Sequence, residues 1–386
     1  MAPSRAKRGA VAHVLPWLNI GGTELQTLRL AQAARELGYE NSIYVPAGGV
    51  KIRALFADDG FPVFEYDQVQ PSYTKPSAFW KNSRRIAAAF RERGIQVVHC
   101  SDILAAHFAG FAGRMAGARV ISHIRNHYPA VGRRERGFLL PVEVFVCVSK
   151  NTRDNFGIER GRRRSRILYD VPGVTYKPVE DRAAARASLG LPPQGHVFGM
   201  AARVSPQKDF PTLIEAARIV RGQMPDSCFL IAGDHQMEAP HRAHYESLLP
   251  LLEESGMSDR FFFAGFQSEM STFYGAIDTF VLSSNWEGLP TVVLEAILYG
   301  RPAVSTEVGG IAEAIHDGVD GFLAPPKSPE ALADRLLRVA GDEALRQRFI
   351  ENAQRSLAET FGQERFLKQV DELYSDLLRS GLLRRR

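Results

Sequence analysis

The stretch TFVLSSNWEGLPTVVLEAILYGRPAVST, residues 279–306, reads as strand, loop, helix and strand in turn. TFVLSS is a short apolar run ending in serines, and NWEGL has the polar and glycine content of a loop. Pro290 suits the first turn of a helix. That helix runs to Tyr299, Gly300 caps it, and Pro302 bars its continuation before PAVST. A strand–helix–strand unit of this kind implies parallel strands. It also places two carboxylates. Glu287 sits at a strand mouth beside a helix N-terminus, where negative charge is favoured. Glu295 lies about five residues into the helix, roughly one and a half turns along. Either acid alone has a plain explanation, Glu287 as a cap and Glu295 as an exposed helix residue. The next loop, STEVGGIAEAIHDGVDGFLAPP, repeats the glycine-then-acid theme with Gly309, Gly310 and Glu313, and together these features point to a ligand.

The same alternation extends in both directions. VAHVLPWL, NSIYVPA, IQVVHCSD, ARVISHI, VEVFVCVSK and SRILYDV are strand candidates of a first half. The amphipathic segments LQTLRLAQAARELG and ILAAHFAGFAGRMAG lie among them as helices. The pattern restarts with GHVFGMAAR, SCFLIAGDH, RFFFAGF, TFVLSS, PAVST and GFLAP. A segment rich in Pro and Gly at both ends places the change of domain near residues 172–194. The last stretch, QERFLKQVDELYSDLLRSGLLRRR, is one amphipathic helix with no strand after it, placed to pack back on the first domain. The predicted fold class is α/β, two Rossmann-like doubly wound parallel sheets with a cleft between them. The expected domains are residues 1–175, 176–364 and the returning helix 365–386.

The 386 residues are enough for two or three domains with cores of their own. No run approaches the ~20 apolar residues of a membrane span. The basic head and apolar run at the start mimic a signal peptide, but His13, Pro16 and Asn19 interrupt the run, and a first strand fits better. Cys100, Cys147 and Cys228 are widely spaced in apolar runs, without metal-binding spacing, as expected of reduced core residues in a cytosolic protein. Charge is uneven: residues 1–180 carry roughly 27 basic and 15 acidic side chains, the remainder roughly 21 and 28. The basic half is either a solvated surface or one that faces something anionic. RRERGFLLP mixes Arg133, Arg134 and Arg136 with Phe138, Leu139 and Leu140, which suits a membrane interface better than a nucleic-acid groove.

In parallel sheets ligands sit outside the carboxyl ends of the strands, so the loops after strands carry the functional reading. NIGGTE follows the first strand and opens the first helix, where glycines allow close approach and free N–H groups face an anion. It lacks the GxGxxG spacing of a dinucleotide fingerprint. ARVSPQKDF places Arg203 and Lys208 where two cations could take a diphosphate. ARVISHIRNHY ends a strand at His123, either an ordinary loop residue or a hydrogen-bond partner for a sugar, with Arg125, Asn126 and His127 close behind.

The run EGLPTVVLEAILYGRPAVSTEVGGIAEAIHDGVDGFLAPP closely resembles the second-domain signature of the GT4-type retaining glycosyltransferases, the group 1 enzymes of GT-B fold. GGxE after the first strand, the strand-ending histidine, the Arg–Lys pair, AGDH and FAGFQSE agree in order, so the resemblance covers nearly the whole chain. It implies that Glu295 binds the ribose hydroxyls of a nucleotide-sugar donor and that Glu287 bonds the donor sugar near the reacting carbon. Arg203 and Lys208 are implied as the diphosphate clamp, with Gly22 offering an N–H to the phosphates. His123 is implied near the donor sugar, and with Glu287 it makes the expected catalytic pair. Gly265, Phe266 and Gln267 are implied as the wall around the base, and Gly288, Leu289, Pro290 and Thr291 complete the donor set. The chain departs from the family at VVHCSD, with Ser101 where a second histidine is usual, and at Asp170–Val171, where Asn–Gly is usual.

The expected activity is transfer of a sugar, with retention, from a UDP- or GDP-sugar to a hydroxyl on a glycan, a lipid-linked sugar or a small molecule. This is hexosyl transfer of EC class 2.4, in glycan, glycolipid or natural-product biosynthesis. No strand-end DxD is present, so no cofactor and no metal is expected, and no nucleic acid as partner. The expected location is cytoplasmic, peripheral on the inner face of the cell membrane if the basic half meets anionic lipid. Two alternatives stay open. One is a non-catalytic nucleotide-sugar-binding scaffold subunit; the other is a different enzyme on this fold, such as a sugar-nucleotide epimerase or a phosphorylase.

Overall fold

Why the central strands are continuous apolar runs is visible in how they pair. In the computed structural model, which describes residues 8–382 apart from 73, 75 and 180 and gives only backbone for 380–382, every strand pair within each sheet is parallel. Parallel sheets are covered on both faces, so their strands bury both sets of side chains. The basic head at 1–7 and the end of the expected C-terminal helix at 383–386 lie outside the described residues. The chain divides into two compact units, Met1–Val171 with Gly362–Arg386, and Pro172–Phe361.

The first unit runs β1 (Ala10–Val14), α1 (Gly22–Glu36), β2 (Glu40–Pro46), α2 (Val50–Ala57), β3 (Val63–Tyr66) and α3 (Pro76–Glu92). It continues with β4 (Val97–Cys100), α4 (Ile103–Met115), β5 (Arg119–Ile124) and α5 (Arg133–Phe138). Then come β6 (Val144–Cys147), α6 (Lys150–Asp154), α7 (Glu159–Arg163) and β7 (Ser165–Ile167). The seven strands stand in the order β3-β2-β1-β4-β5-β6-β7. Order reverses beside β1, and the loops after β1 and β4 leave there in opposite senses, the switch point where such sheets bind ligands. The apolar run after the basic head is thus the central strand β1. The region 48–94, where the alternating runs suggest no element, holds α2, β3 and α3. Edge strand β3 is half-buried and carries Glu65, so it shows no apolar run. SRILYDV is a strand only over Ser165–Ile167; its remainder turns inward as a loop ending at Asp170 and Val171.

The second unit contains α8 (Arg182–Ser188), β8 (Val197–Ala201), α9 (Phe210–Gln223), β9 (Cys228–Ala232) and α10 (Ala239–Glu254). It continues through β10 (Phe261–Gly265), α11 (Met270–Ala276), β11 (Thr279–Leu282), α12 (Thr291–Leu298), β12 (Ala303–Thr306) and β13 (Phe322–Ala324). Helices α13 (Pro329–Gly341) and α14 (Glu343–Phe361) close it. Its six strands stand in the order β10-β9-β8-β11-β12-β13, the same doubly wound reversal beside β8. Pro290 is the residue before helix α12, with extended backbone, and Gly300 follows the helix end at φ +64°.

The last helix, α15 (Gln363–Leu382), belongs to the first unit. Phe366, Val370, Leu373, Tyr374 and Leu377 recur at helical spacing and are buried against Val11, Leu30, Val97, Ile121 and Val146. The expected return of this helix to the first domain is what the structure has. Strand period then decides what else lies under it. Val11 and His13, Val97 and His99, and Ile121 and His123 are two apart on neighbouring strands, so three histidines share the sheet face that α1 and α15 cover.

Candidate active site

In the second unit the loop after β11 is tied to the loop after β8. The Asn285 N–H donates to the Gln207 carbonyl (2.8 Å), and Gln207 Nε2 donates to the Trp286 carbonyl (2.9 Å). Ser283 Oγ donates to the Lys208 carbonyl (2.8 Å). Between these ties the two chemical side chains meet: Lys208 Nζ donates to Glu287 Oε1 at 2.5 Å, and Ser284 Oγ donates to the same oxygen at 2.6 Å. Glu287 is only 8% exposed, which a carboxylate tolerates because an ammonium and a hydroxyl satisfy it. It is therefore not a capping acid. Its Oε2 has no hydrogen-bond partner among the described residues, and Lys208 has two further N–H donors beyond the one on Glu287. Arg203 is exposed and makes no hydrogen bond or ion pair among the described residues.

The loop after β12 sits directly on this pair. Gly309 has φ +58°, and a Cβ there would lie 2.0 Å from the Glu287 carbonyl oxygen. The Gly310 N–H donates to the Gly288 carbonyl (2.8 Å). The glycine pair of the sequence is thus a backbone-on-backbone contact that fixes the Glu287 loop. Gly288, Leu289 and Pro290 are buried, and Thr291, the first helical residue, is half-buried. Glu295 is 5% exposed and not on an open helix face. It accepts from Tyr274 on α11 at 3.0 Å and from the Gly173 N–H at 3.2 Å. Burial and the Glu295 charge raise the Tyr274 phenol well above its ordinary pKa, so it stays a donor. At the end of β10, Gly265 accepts from the Gly233 N–H (2.8 Å), Gln267 Nε2 donates to the Ala264 carbonyl (2.6 Å), and Phe266 stands 60% exposed.

In the first unit the N-terminus of α1 is made by Gly21 and Gly22. Gly22 is exposed, and no atom would meet a Cβ there, so the approach to it is open. Glu24 turns back and accepts from the Gly21 N–H at 2.9 Å. Glu24 is 3% exposed, its Oε1 has no partner among the described residues, and burial pushes its carboxyl up to about 7.

His123 is fully enclosed at the end of β5. Its Nδ1 lies 3.2 Å from His99 Nε2 and 3.2 Å from Arg125 Nη2. Arg125 Nη1 donates to both oxygens of Asp170, at 2.5 and 2.6 Å, and both residues are buried. His99 Nδ1 lies 2.8 Å from the Tyr374 hydroxyl on α15. His13 stacks on His99 at 5.9 Å and pairs with Asn41 at 2.9 Å. Burial lowers His13 to about 4, and it lowers His99 and His123 well below the usual range, with the Arg125 charge adding to both of these. All three rings are neutral near pH 7. The Asp170 departure from the family pattern thus has a partner, Arg125.

Sequence reasoning passed over Ser284, Tyr274 and Tyr374, which carry no motif of their own. Arg125 and Asp170 stood in view, but nothing in sequence links two residues 45 apart. Among the described residues Asp234, Glu238 and His241 could jointly reach a metal ion. Asp234 already accepts from three backbone N–H groups and lies 2.7 Å from His241 Nδ1, which accounts for the cluster as a loop clamp before α10.

Comparison with known proteins bears on the whole arrangement. Residues 20–169 match the family described as Glycosyltransferase Family 4, and residues 181–356 match Glycosyl transferases group 1. The lipopolysaccharide core biosynthesis glycosyltransferase LpsE of Rhizobium meliloti is 31% identical over 326 residues, covering 81% of this chain and 90% of LpsE. The mannosyltransferase LpsB of the same organism is 26% identical over 215 residues, covering 55% of this chain and 61% of LpsB. The chain spans about half the length of several other curated relatives that it matches. In fold it is similar to Anabaena Alr3699/HepE, solved in complex with UDP, with a TM-score of 0.82 at 19% identity over 95% of this chain and 100% of that one. With matches to both halves of the signature and a relative alike over nearly its full length, the chain belongs to the group 1 glycosyltransferases of GT4 type.

Proposed function

We propose that the chain is a retaining glycosyltransferase that moves a hexosyl group from a UDP- or GDP-sugar to a hydroxyl acceptor in glycan or glycolipid biosynthesis. The observation that carries this reading is the Lys208–Glu287–Ser284 contact at the carboxyl ends of β8 and β11, with exposed Arg203, on the same loop as Lys208, making no hydrogen bond or ion pair among the described residues. Departure of a nucleoside diphosphate builds negative charge on phosphate and positive charge on the sugar carbon. Arg203 and the spare Lys208 donors suit the first, as fixed donors aimed at developing charge. The open Glu287 oxygen suits sugar hydroxyls. Glu295 is assigned to ribose hydroxyls, and Gly265, Phe266 and Gln267 to the base, with exposed Phe266 offering a stacking face. Gly288, Leu289, Pro290 and Thr291 hold the two acids at their separation. Gly22 is assigned to an anion and His123 to a sugar oxygen.

In the reaction the acceptor oxygen bonds to the anomeric carbon as the carbon–phosphate-oxygen bond breaks. The acceptor proton passes to the departing diphosphate, so charge and atoms balance without a protein nucleophile or a metal. That HepE was solved with UDP and with UDP-glucose supports a uridine donor among the candidates. The titles borne by LpsE and LpsB support an acceptor in lipopolysaccharide core assembly. A cytoplasmic location with peripheral attachment to anionic lipid belongs to the same proposal. No described helix is long and apolar enough to cross a membrane.

A panel of UDP- and GDP-sugars, scored for release of nucleoside diphosphate with and without EDTA, tests the reading. Release from at least one donor, unaffected by EDTA and lost in Lys208→Ala, is expected. Donor binding without release from any of them would favour a scaffold subunit instead.

A further inference from the structure

The unused feature of the first unit is the set of contacts converging on one atom, His123 Nδ1. Two groups reach it, and the role of the first fixes that of the second. Arg125 can only donate, and both Asp170 oxygens anchor its other terminal nitrogen. His99 holds the Tyr374 hydroxyl on its Nδ1. Because Arg125 makes His123 Nδ1 an acceptor, the neutral His99 facing it carries its proton on Nε2, and its Nδ1 accepts from the Tyr374 hydroxyl. Both neighbours therefore present an N–H to His123 Nδ1, which must accept. The proton of a neutral His123 then sits on Nε2, a buried nitrogen with no partner among the described residues.

We propose that Arg125, anchored by Asp170, and His99, anchored by Tyr374, are positioning residues that hold His123 as its Nε2–H tautomer, so that its free edge donates a hydrogen bond and cannot serve as a base. This rests on the assignment of His123 to a sugar oxygen and sharpens it: the ring addresses an oxygen lone pair, not a hydroxyl proton. It also separates His123 from proton removal at the acceptor, consistent with the acceptor proton leaving with the diphosphate. The arrangement is double, with one lock running from the loop after β7 and the other from the last helix. The charged and titratable groups facing His123 are Arg125 on its own strand segment, His99 on β4 with His13 behind it, Asp170 after β7 and Tyr374 on α15. Glu24 in the first turn of α1 and Asp102 in the loop after β4 feel the Arg125 charge.

Long-range proton–nitrogen NMR of the full-length, ligand-free chain labelled with 15N-histidine reads the tautomer directly. The wild type is expected to show His123 with a protonated Nε2 and a bare Nδ1, unchanged from about pH 6 to about pH 8. Tyr374→Phe alone is expected to keep that state, because Arg125 still donates. Combining it with Arg125→Met and Asp170→Leu, an apolar replacement of the ion pair that spares the fold an orphaned charge, is expected to release the ring to a mixture of tautomers. A wild-type His123 with its proton on Nδ1, or a triple variant that folds and keeps the pure Nε2–H form, would overturn the proposal. If the triple variant does not fold, Tyr374→Phe with Arg125→Lys, which keeps a donor, must retain the wild-type tautomer; a shifted one overturns it. Hydrolysis of whichever of UDP-glucose or GDP-mannose the wild type turns over separates the underlying assignment. In the triple variant kcat is expected to fall about tenfold or more with KM little changed. His123→Ala hydrolysing at the wild-type rate would reject the role of His123 itself while leaving the NMR result standing.

Discussion

Glu24 shows how one buried side chain couples the site to pH. Its carboxyl is raised from 4.5 to about 7 by burial, so the folded chain keeps a proton that the unfolded chain releases. The sign follows: stability present below the unfolded value is lost as pH rises through about 7, by an amount on the order of 2–3 kcal/mol. Glu24→Gln is expected to remove this loss, so its melting temperature should exceed that of the wild type at pH 8 and approach it at pH 5. Equal differences at both pH values would contradict the assignment. The histidines act in the opposite sense. His13, lowered to about 4, stays neutral in the fold while the unfolded chain takes a proton near 6.5, so stability falls as pH drops between those values. In the second unit the Lys208–Glu287 contact makes the two residues unequal. Lys208→Ala strands a buried carboxylate, whereas Glu287→Gln keeps a hydrogen-bonding shape and frees the cation. Lys208→Ala is expected to cost about 100-fold or more in kcat, and Glu287→Gln to lose kcat while retaining nucleotide affinity in calorimetry. A Glu287→Gln protein that loses nucleotide affinity and keeps kcat would reverse the two roles.

Elements carry these residues through spacing, and spacing is also what made them legible. The strand–loop–helix unit around Glu287, the glycine pair at Gly309 and Gly310, and the amphipathic last helix all follow from apolar period and punctuation, and the structure has each where the pattern puts it. What stayed hidden was pairing across the fold. Tyr274 under Glu295, Arg125 against Asp170, and Tyr374 against His99 each join residues far apart in the chain, and no local propensity records such a contact. Half-buried edge strand β3 was hidden for a different reason, having too little apolar surface to show a period. The RRERGFLLP segment was legible only in part. It forms α5, yet Leu139 is buried and Arg136 is partly spent on the Val131 and Gly157 carbonyls, leaving Leu140, 61% exposed, as its open apolar side chain. Two tests belong here. Gly309→Ala must displace the Glu287 backbone, since its Cβ would fall 2.0 Å from that carbonyl, and is expected to reduce transfer about tenfold or more with the protein still folded. Val370→Ala, in the fully buried seam of α15, is expected to destabilise by about 1–3 kcal/mol in denaturant melts. Full activity in the first variant, or no loss in the second, would contradict the packing described.

At the scale of the whole molecule, charge and family membership meet. The basic bias of the first half gives a surface that anionic lipid would attract, with Arg133 and Arg134 exposed on α5 and Trp80 partly exposed on α3. Binding to anionic vesicles is expected at low salt, weakening with ionic strength and with neutralisation of Arg133, Arg134 and Arg136. Sedimentation showing no binding at low salt would remove the membrane from the account. The fold itself assigns no sugar, because group membership rests on the donor-side signature and the doubly wound sheets, which relatives with different substrates share. The central claim, that a diphosphate held by Arg203 and Lys208 leaves an activated sugar, is tested most directly by release of nucleoside diphosphate across the UDP- and GDP-sugar panel. Release from at least one donor by the wild type, reduced about 100-fold or more in a Lys208→Ala protein that is still folded, is the expected result. Equal release by wild type and Lys208→Ala would contradict it.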